Sequence, residues 1–546
     1  MVWSGGIVVA PMPDSEVPVL IAGGSLVGLS TALLLGHHGV RALAVEHHRG
    51  TAIHPRAAQI SQRTMEIFRT VGLEQIVRGT SEAQFVQDGA IMAVETLAGK
   101  ELAWFIANLN EGVRDVSPTE RVFISQSLLE PLLRARAEAL GADLRFGTDL
   151  VSFSDDGDGV TAAIRDRDSG RTETVRASYL VAADGARSSV RERLGIRMSG
   201  HGTFSRCVTI YFRANVTPLL RGRNLSVIYV NNPVLRGFFR FEKPFDRGFL
   251  AVMALGDPQR PQTDVATGLT EERCLELVRV ALGSDQVPIA IENVMPWEAE
   301  ANVAERFSDG RVALAGDSAH VMPPNGGFGG NTGVQDAHNL AWKLSLVLGG
   351  VASPGLLSTY DAERRPVSAF TVEQAYARYV TRAAPYLGTE GLQPVADDLN
   401  VELGYCYASP AVAVGAGEDR PIHEHPRESR ARPGTRAPHV WLDRQGERIS
   451  TLDLYGRRFV LLAGPTGDAW REAAQRAAAG LRMSVDVHRI DASGLTDAGA
   501  LPDAYGITPS GAVLVRPDGV VAWRAATAED ASAEAMEGTL EQLLCR

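Results

Sequence analysis

The sequence predicts an α/β protein with a βαβ nucleotide-type region, an inserted antiparallel-sheet module and a smaller C-terminal α/β unit. Three observations carry this. A βαβ pattern with a glycine turn opens the chain at residues 17–46, half-exposed alternation takes over between 201 and 298, and a fresh strand–helix–strand pattern begins beyond a proline-rich stretch at 415–438. With 546 residues, 45% hydrophobic and 22% charged, the chain can bury several cores, which argues against a disordered or coiled-coil protein.

Lys+Arg 54 against Asp+Glu 65 gives a net charge of −11 without a long basic run, so neither nucleic acid nor an anionic membrane is an expected partner. The four cysteines, Cys207, Cys274, Cys406 and Cys545, form no C-x-x-C pair, which removes zinc ribbons, iron–sulfur runs and dithiol redox motifs; no metal site is expected. Residues 1–16 read as a loose leader without a signal-type apolar region, and the expected location is the cytoplasm.

Residues 17–22 are a short apolar strand, 23–28 a glycine turn, and the helical pattern after it runs to His38, where Gly39 supplies a left-handed stop before the strand 41–45. Ser127-x-x-Glu130 has the form of a capping box, opening a helix that stops at Gly141, and 144–146 is a returning strand. A meander follows at 149–153, 159–165 and 172–177. After the antiparallel module, the strand 311–315 leads into a glycine-rich loop, 316–333, and a helix at 334–348. Beyond the proline-rich stretch come a strand at 458–463, a helix at 468–480, a strand at 483–490, a hairpin about 517–519 and a helix at 528–544.

Gly23-x-Ser25-x-x-Gly28 is a dinucleotide fingerprint with serine at its middle position, placed after a strand and opening a helix. The first glycine permits the tight turn and the last permits close packing, so Gly23, Ser25, Leu26, Val27 and Gly28 would face a pyrophosphate with helix N-terminal amides. Glu46, followed by His47, ends the second strand, where a carboxylate accepts from ribose hydroxyls. A second element, Asp184-Gly185, also ends a strand. The third runs Gly316-Asp317 through Pro323-Pro324-Asn325-Gly326-Gly327 to Gly333, and so many glycines suit backbone amides lying close against a flat or anionic ligand.

In this order the three elements resemble the group A FAD-dependent aromatic hydroxylases, over residues 17 to about 410. The resemblance implies a Rossmann-like FAD domain of the p-hydroxybenzoate hydroxylase type, assembled from 17–83, 117–200 and 299–390. It also implies a substrate domain from 84–116 and 201–298 and a connecting segment at 391–430. Asp317 would bind the ribitol, and Pro324, Gly327, Gly329, Gly330, Asn331 and Thr332 would lie against the isoalloxazine. Asp184 and Gly185 would touch FAD and the path of the nicotinamide, Arg56 would stand near the flavin, and Gln126 would make a polar contact to the cofactor. Ser25 departs from the family's fingerprint at the pyrophosphate. The implied activity is reduction of FAD by NADPH, addition of O₂ at C4a and hydroxylation of a phenolic ring by the flavin hydroperoxide.

The run 403–410 and the size of the C-terminal unit look most like hydroxylases of anthracycline-type aromatic polyketides. Residues 431–546 are similar to a thioredoxin fold whose redox turn would fall at 464–467, Gly-Pro-Thr-Gly, without cysteine; the unit would serve packing or dimer contacts. A flavin-dependent halogenase should carry Trp-x-Trp-x-Ile-Pro, which is absent. A small-phenol or antibiotic hydroxylase, or a non-catalytic flavin-binding scaffold, stands as the alternative.

For the substrate, the aromatic-rich helix at 370–387 carries Arg378 and Arg382 four residues apart on one face. Both arginines could be solvated; the functional alternative has Arg382 stabilising a phenolate, with Tyr211, Tyr229, Phe239 and Phe241 forming an apolar wall for fused rings. His37-His38 and His47-His48 read as surface pairs, and His423-Glu424-His425 as a solvated loop without metal spacing.

Overall fold

The computed structural model describes residues 13–53, 59–413, 421–490, 495–497 and 499–546. The first twelve residues of the expected leader and Arg56 lie outside this set. The opening strand begins at Ser15, two residues before the expected start, because it pairs along its length with Thr172–Ala182.

Five parallel strands build the central sheet, in the order Val312–Leu314, Thr172–Ala182, Ser15–Ala22, Ala42–Glu46, Asp143–Phe146, with the meander strands added at one side. Parallel strands covered on both faces read as unbroken apolar runs, and Val19, Leu20, Ile21, Leu43 and Val181 are accordingly inaccessible to solvent. The helix Leu26–His37 follows the first strand, and the helix Gly329–Leu348 packs on it. The latter starts five residues earlier than the sequence pattern suggests. Gly329 to Gly333 form its first turn rather than a loop, since Thr332 N already donates to Phe328 O.

The inserted module is a second eight-stranded sheet. Its long strands, Met198–Arg213 and Ala290–Ala304, run past the expected boundaries at 201 and 298 and pair antiparallel. One face packs on the helix Glu271–Leu282 through Val208, Ile210, Phe212, Phe239, Phe241 and Leu250; the other turns toward the FAD-type domain through Cys207, Tyr229, Phe238 and Met253. Strand parity therefore corrects one expectation. Phe239 and Phe241 lie on the helix-covered face, stacked on each other at 5.2 Å, and cannot line a substrate wall.

The C-terminal unit has a four-stranded sheet in the order Val485–Arg489, Phe459–Ala463, Ala512–Val515, Val521–Ala525. The first pair is parallel and the others antiparallel, with helices Asp468–Gly480 and Ala533–Leu543 packed together. The strand, helix, strand, hairpin and helix expected from the sequence pattern are therefore all present in this unit.

The unit is tied to the rest of the chain by buried charge. Arg516 forms a two-nitrogen pair with Glu363 at 2.6 and 3.0 Å, Arg436 pairs with Glu66, and Arg63 donates to Asp518 O at 2.6 Å. Lys343 also reaches Glu363, at 2.9 Å. Packing thus runs within the chain, through ion pairs with almost no solvent access. It also covers His37 and His38, which are half-buried rather than on the surface; burial pulls His38 down to about 3, and a His37 ring nitrogen meets Gly456 O. His423 is likewise not a solvated loop residue, because its ring stacks on Phe370 at 4.5 Å.

Candidate active site

The glycine turn is dictated by space. Gly23 has φ +107°, and a Cβ there would lie 2.2 Å from Ala183 O, while one on Gly28 would meet Gly23 O at 1.9 Å. Glycine at both positions brings the helix Leu26–His37 onto the end of the sheet with its N-terminal amides open. Around it, Gly316 and Gly333 close on Val27 and Gly330 closes on Leu26, with built Cβ positions 2.5–2.8 Å from those side chains. The glycines of the third element thus bring the N-terminus of Gly329–Leu348 beside that of the first helix. Two helix dipoles and two sets of unbonded first-turn amides then converge, an arrangement that favours an anionic ligand.

Glu46 ends the second strand as expected. Its Oε2 accepts from Gly24 N at 2.7 Å and Oε1 from His48 N at 2.8 Å, which holds the carboxylate at the mouth of the turn with acceptor capacity left. His47 beside it is exposed, its ring 3.0 Å from that of His48. Ser25 caps the first helix without a side-chain cap bond; its hydroxyl donates to Glu130 Oε1 at 2.8 Å and accepts from Gln126 Nε2 at 3.0 Å. Gln126 therefore sits against the fingerprint. The predicted capping box does not form, because the helix Gln126–Ala139 is capped by Ser125 and already contains Ser127; Glu130 instead takes Ala52 N at 2.6 Å with its other oxygen.

Asp184 Oδ2 accepts from Val190 N at 3.1 Å, in the first turn of the short helix Ser189–Arg193 that Ser188 caps, and its Oδ1 is buried without a partner. An orphaned carboxylate oxygen in that position fits a ligand hydroxyl. Gly185, at φ +83°, turns the chain away from it. Asp317 stands exposed on a 3₁₀ turn whose Gly316 N donates to Asp336 at 3.0 Å. In the loop, Gly327 N closes a turn onto Pro324 O, and Gly329 and Gly330 follow in the helix. The side chains of Asn331 and Thr332 are committed to protein. Asn331 takes Ser61 N and Thr64 Oγ1 and donates to Gln59 O and Gly327 O, and Thr332 bonds Phe328 O, so any ligand contact from this turn comes from backbone amides.

Sequence reasoning missed the support behind this loop. Asp336 is fully buried between His320 and Arg364, both at 2.7 Å, and Arg364 also reaches Thr332 O. Burial opposes ionisation, yet Arg364 and His320 hold the Asp336 carboxyl below the usual range. The available signal was a long helix with polar residues on every side, which requires partners all round.

On the substrate side, four ring pairs join Tyr211, Phe249, Phe238, Tyr229 and Phe105 into one row, with centroids 5.7–5.9 Å apart. Tyr211 and Tyr229 face the FAD-type domain. The two arginines of the aromatic helix are not solvated: Arg378 is buried and paired with Asp398 at 2.6 Å, and half-buried Arg382 lies over Phe105 at 5.5 Å and against Tyr229. Burial pushes the Tyr229 phenol up and Arg382 pulls the other way, while Asn325 of the glycine loop donates to its oxygen at 3.0 Å.

Convergent helix N-termini, glycines with no room for a Cβ and the unsatisfied Asp184 oxygen fit FAD. Asp317→Ala is expected to weaken FAD by about 1.5–3 kcal/mol, roughly 10- to 150-fold, as a charge-assisted bond would. Flavin-fluorescence titration checks this, and unchanged affinity removes Asp317 from the site.

Comparison with known proteins agrees in kind. Residues 16–375 match the FAD binding domain family, and residues 430–546 the aromatic-ring hydroxylase C-terminal family. The chain is 54% identical over 540 residues to 4-methyl-5-nitrocatechol 5-monooxygenase from Burkholderia sp, covering 98% of each. It is 40% identical over 546 residues to aklavinone 12-hydroxylase from Streptomyces purpurascens, covering 98% of this chain and 100% of that one. A solved ternary complex of aklavinone-11 hydroxylase with FAD and aklavinone superposes with TM-score 0.91 at 39% identity, over 98% of this chain and 100% of that chain. No helix among the described residues is long and apolar enough to cross a membrane. With matched families at both ends and full-length relatives of this identity, the chain belongs to the FAD-dependent aromatic-ring hydroxylases.

Proposed function

We propose that the protein hydroxylates a phenolic, fused-ring aromatic of the polyketide type, with NADPH and O₂ as co-substrates. The observation that carries this reading is the Arg382–Tyr229–Asn325 group, a cation and a phenol held between the glycine loop and the end of the aromatic row. When bound, FAD supplies the redox and oxygen-activating chemistry. The chain's part is to hold the ring, exclude water with the aromatic row and favour phenolate over phenol, which makes the ring the stronger nucleophile. Arg382, half-buried beside a phenol, suits that last task, since a nearby cation lowers a phenol's pKa. Only one dinucleotide fingerprint is present, so NADPH binds without a second Rossmann domain.

Arg382→Ala should lower kcat at pH 7 by roughly 100-fold, the low end for a lost proton-transfer role, and recover partly toward pH 10, where a phenol ionises unaided. Arg382→Lys should retain more activity than Ala. Parent rates in Arg382→Ala across the pH range would reduce the residue to a scaffold role. The 54% identity to a nitrocatechol monooxygenase favours a second reading, a single-ring phenol. Product analysis on matched single-ring and fused phenols separates the two, and faster turnover of the single rings rejects the fused-ring assignment.

A further inference from the structure

The helix Gly355–Arg382 walls a cavity of about 630 Å³ that the reading above does not use. The cavity lies against Ser199, at the start of Met198–Arg213, and Val303, at the end of Ala290–Ala304. Among the described residues that line it are neither Arg382, Tyr229, Asn325 nor any ring of the aromatic row, so it is separate from the proposed phenol site. Its size falls within the roughly 300–1,000 Å³ usual for small-molecule sites.

One wall is a platform of rings. His423 stacks on Phe370 at 4.5 Å with 20° between the planes, and burial pulls the imidazole below its ordinary range, so at neutral pH it is an uncharged ring. Val303, Ile422 and Val395 complete an apolar slot, and Val395 is left 48% exposed beside it. The polar side chains differ in what they have to offer. Gln374 is buried and committed to protein, donating to Pro394 O and accepting from Ala396 N and Arg378. Glu373 is the carboxylate on the walls, and both of its oxygens meet one nitrogen, His201 Nε2, at 3.0 Å. The His201 ring is itself stacked on Tyr376 at 3.7 Å. One N–H cannot satisfy two carboxylate oxygens, so Glu373 keeps acceptor capacity at the edge of the slot.

We infer that this cavity is a second small-molecule site, which takes a flat aromatic cation with its ring on the Phe370–His423 platform and its charged nitrogen on Glu373. Three terms favour that class together. A flat ring buries apolar area in the slot, the faces of the platform rings attract a cation, and a charged N–H to the carboxylate is a charge-assisted bond of the stronger kind. A neutral ring of the same shape gains the first term alone, and an anion is repelled by Glu373.

The test is a calorimetric titration of the FAD holoenzyme in mildly alkaline buffer with 9-aminoacridine, a flat cation there, and acridine, its neutral counterpart. The cation should bind once per chain and roughly 10-fold or more tightly than acridine, and 2-naphthol, a probe of the phenol site, should not displace it. Glu373→Gln should bring the two probes to the same affinity, and Glu373→Asp should keep part of the preference. Ser199→Trp, which fills the slot from an exposed strand position, should abolish binding of both probes. The parent's melting temperature and flavin content in that variant separate a filled cavity from lost folding. Equal binding of the probes by the parent, a preference unchanged in Glu373→Gln, or binding that survives in Ser199→Trp overturns the site. Displacement by 2-naphthol places the cation in the phenol site and also overturns it, while the hydroxylase reading stands.

Discussion

Glu363→Gln should destabilise the protein by about 3–5 kcal/mol, the range expected when one partner of a buried ion pair is removed and the other charge is stranded. Glu363 is inaccessible to solvent and meets Arg516 of the C-terminal unit through both oxygens, Lys343 at 2.9 Å, Asn339 at 2.7 Å and Ser409 at 2.6 Å. A neutral amide leaves Lys343 without a carboxylate partner and Arg516 with Asp518 alone, and Gln would also turn one donor toward a donor. Chemical denaturation at pH 7 measures the loss, and a midpoint equal to the parent's would show that the cluster contributes nothing to holding the unit in place.

The same cluster sets an acid limb. Burial works against ionisation of Glu363, but Arg516 and Lys343 outweigh it, so its folded pKa lies below the unfolded value of about 4.3. A depressed carboxylate contributes stability that is fully present above the unfolded pKa and is lost as the pH falls through the folded one. Glu66, between Arg436 and Arg63, and Asp336 shift in the same direction. Stability should therefore hold above about pH 5 and decline below about 4.3, and Glu363→Gln should flatten part of that decline.

These clusters explain where sequence reading stopped. Local signals found the glycine turn, the strand ends at Glu46 and Asp184, and the succession of C-terminal strands and helices along the chain, because each is a matter of short spacing and backbone conformation. Arg516 and Glu363 are 153 positions apart, and Arg436 and Glu66 are 370 apart. Nothing local marks either as a partner, and each reads as a surface charge until the fold joins them. Strand parity was legible in principle, since Phe238 and Phe239 must point to opposite faces, but which face meets the FAD-type domain depends on where the helix Glu271–Leu282 packs. The side chains of Asn331 and Thr332 show a related limit. The glycine loop was recognisable as a ligand cradle, whereas the assignment of its polar side chains to the protein and its amides to the ligand required the contacts.

Gly23→Ala should abolish FAD binding, and comparison with Gly39→Ala shows why the effect belongs to the site. Both glycines have positive φ, +107° at Gly23 and +78° at Gly39, so an L side chain costs each about 1–2 kcal/mol of backbone strain. Around Gly39 a Cβ meets nothing within 4 Å, and strain is the whole penalty. At Gly23 the same methyl lies 2.2 Å from Ala183 O and 2.7 Å from its carbonyl carbon. Neither atom can yield, because Ala183 N donates to Ala22 O and Gly23 N to Val45 O, which fixes both chains at the sheet end. The turn must open, and opening it moves the Leu26–His37 amides away from the N-terminus of Gly329–Leu348. Gly39→Ala should thus purify yellow with a slightly lowered melting temperature, and Gly23→Ala as a colourless apoprotein whose FAD affinity is down by more than about 100-fold, over ~2.7 kcal/mol. The ratio of flavin to protein absorbance reads this directly. A yellow Gly23→Ala protein with the parent's affinity would mean that the cofactor does not depend on this turn.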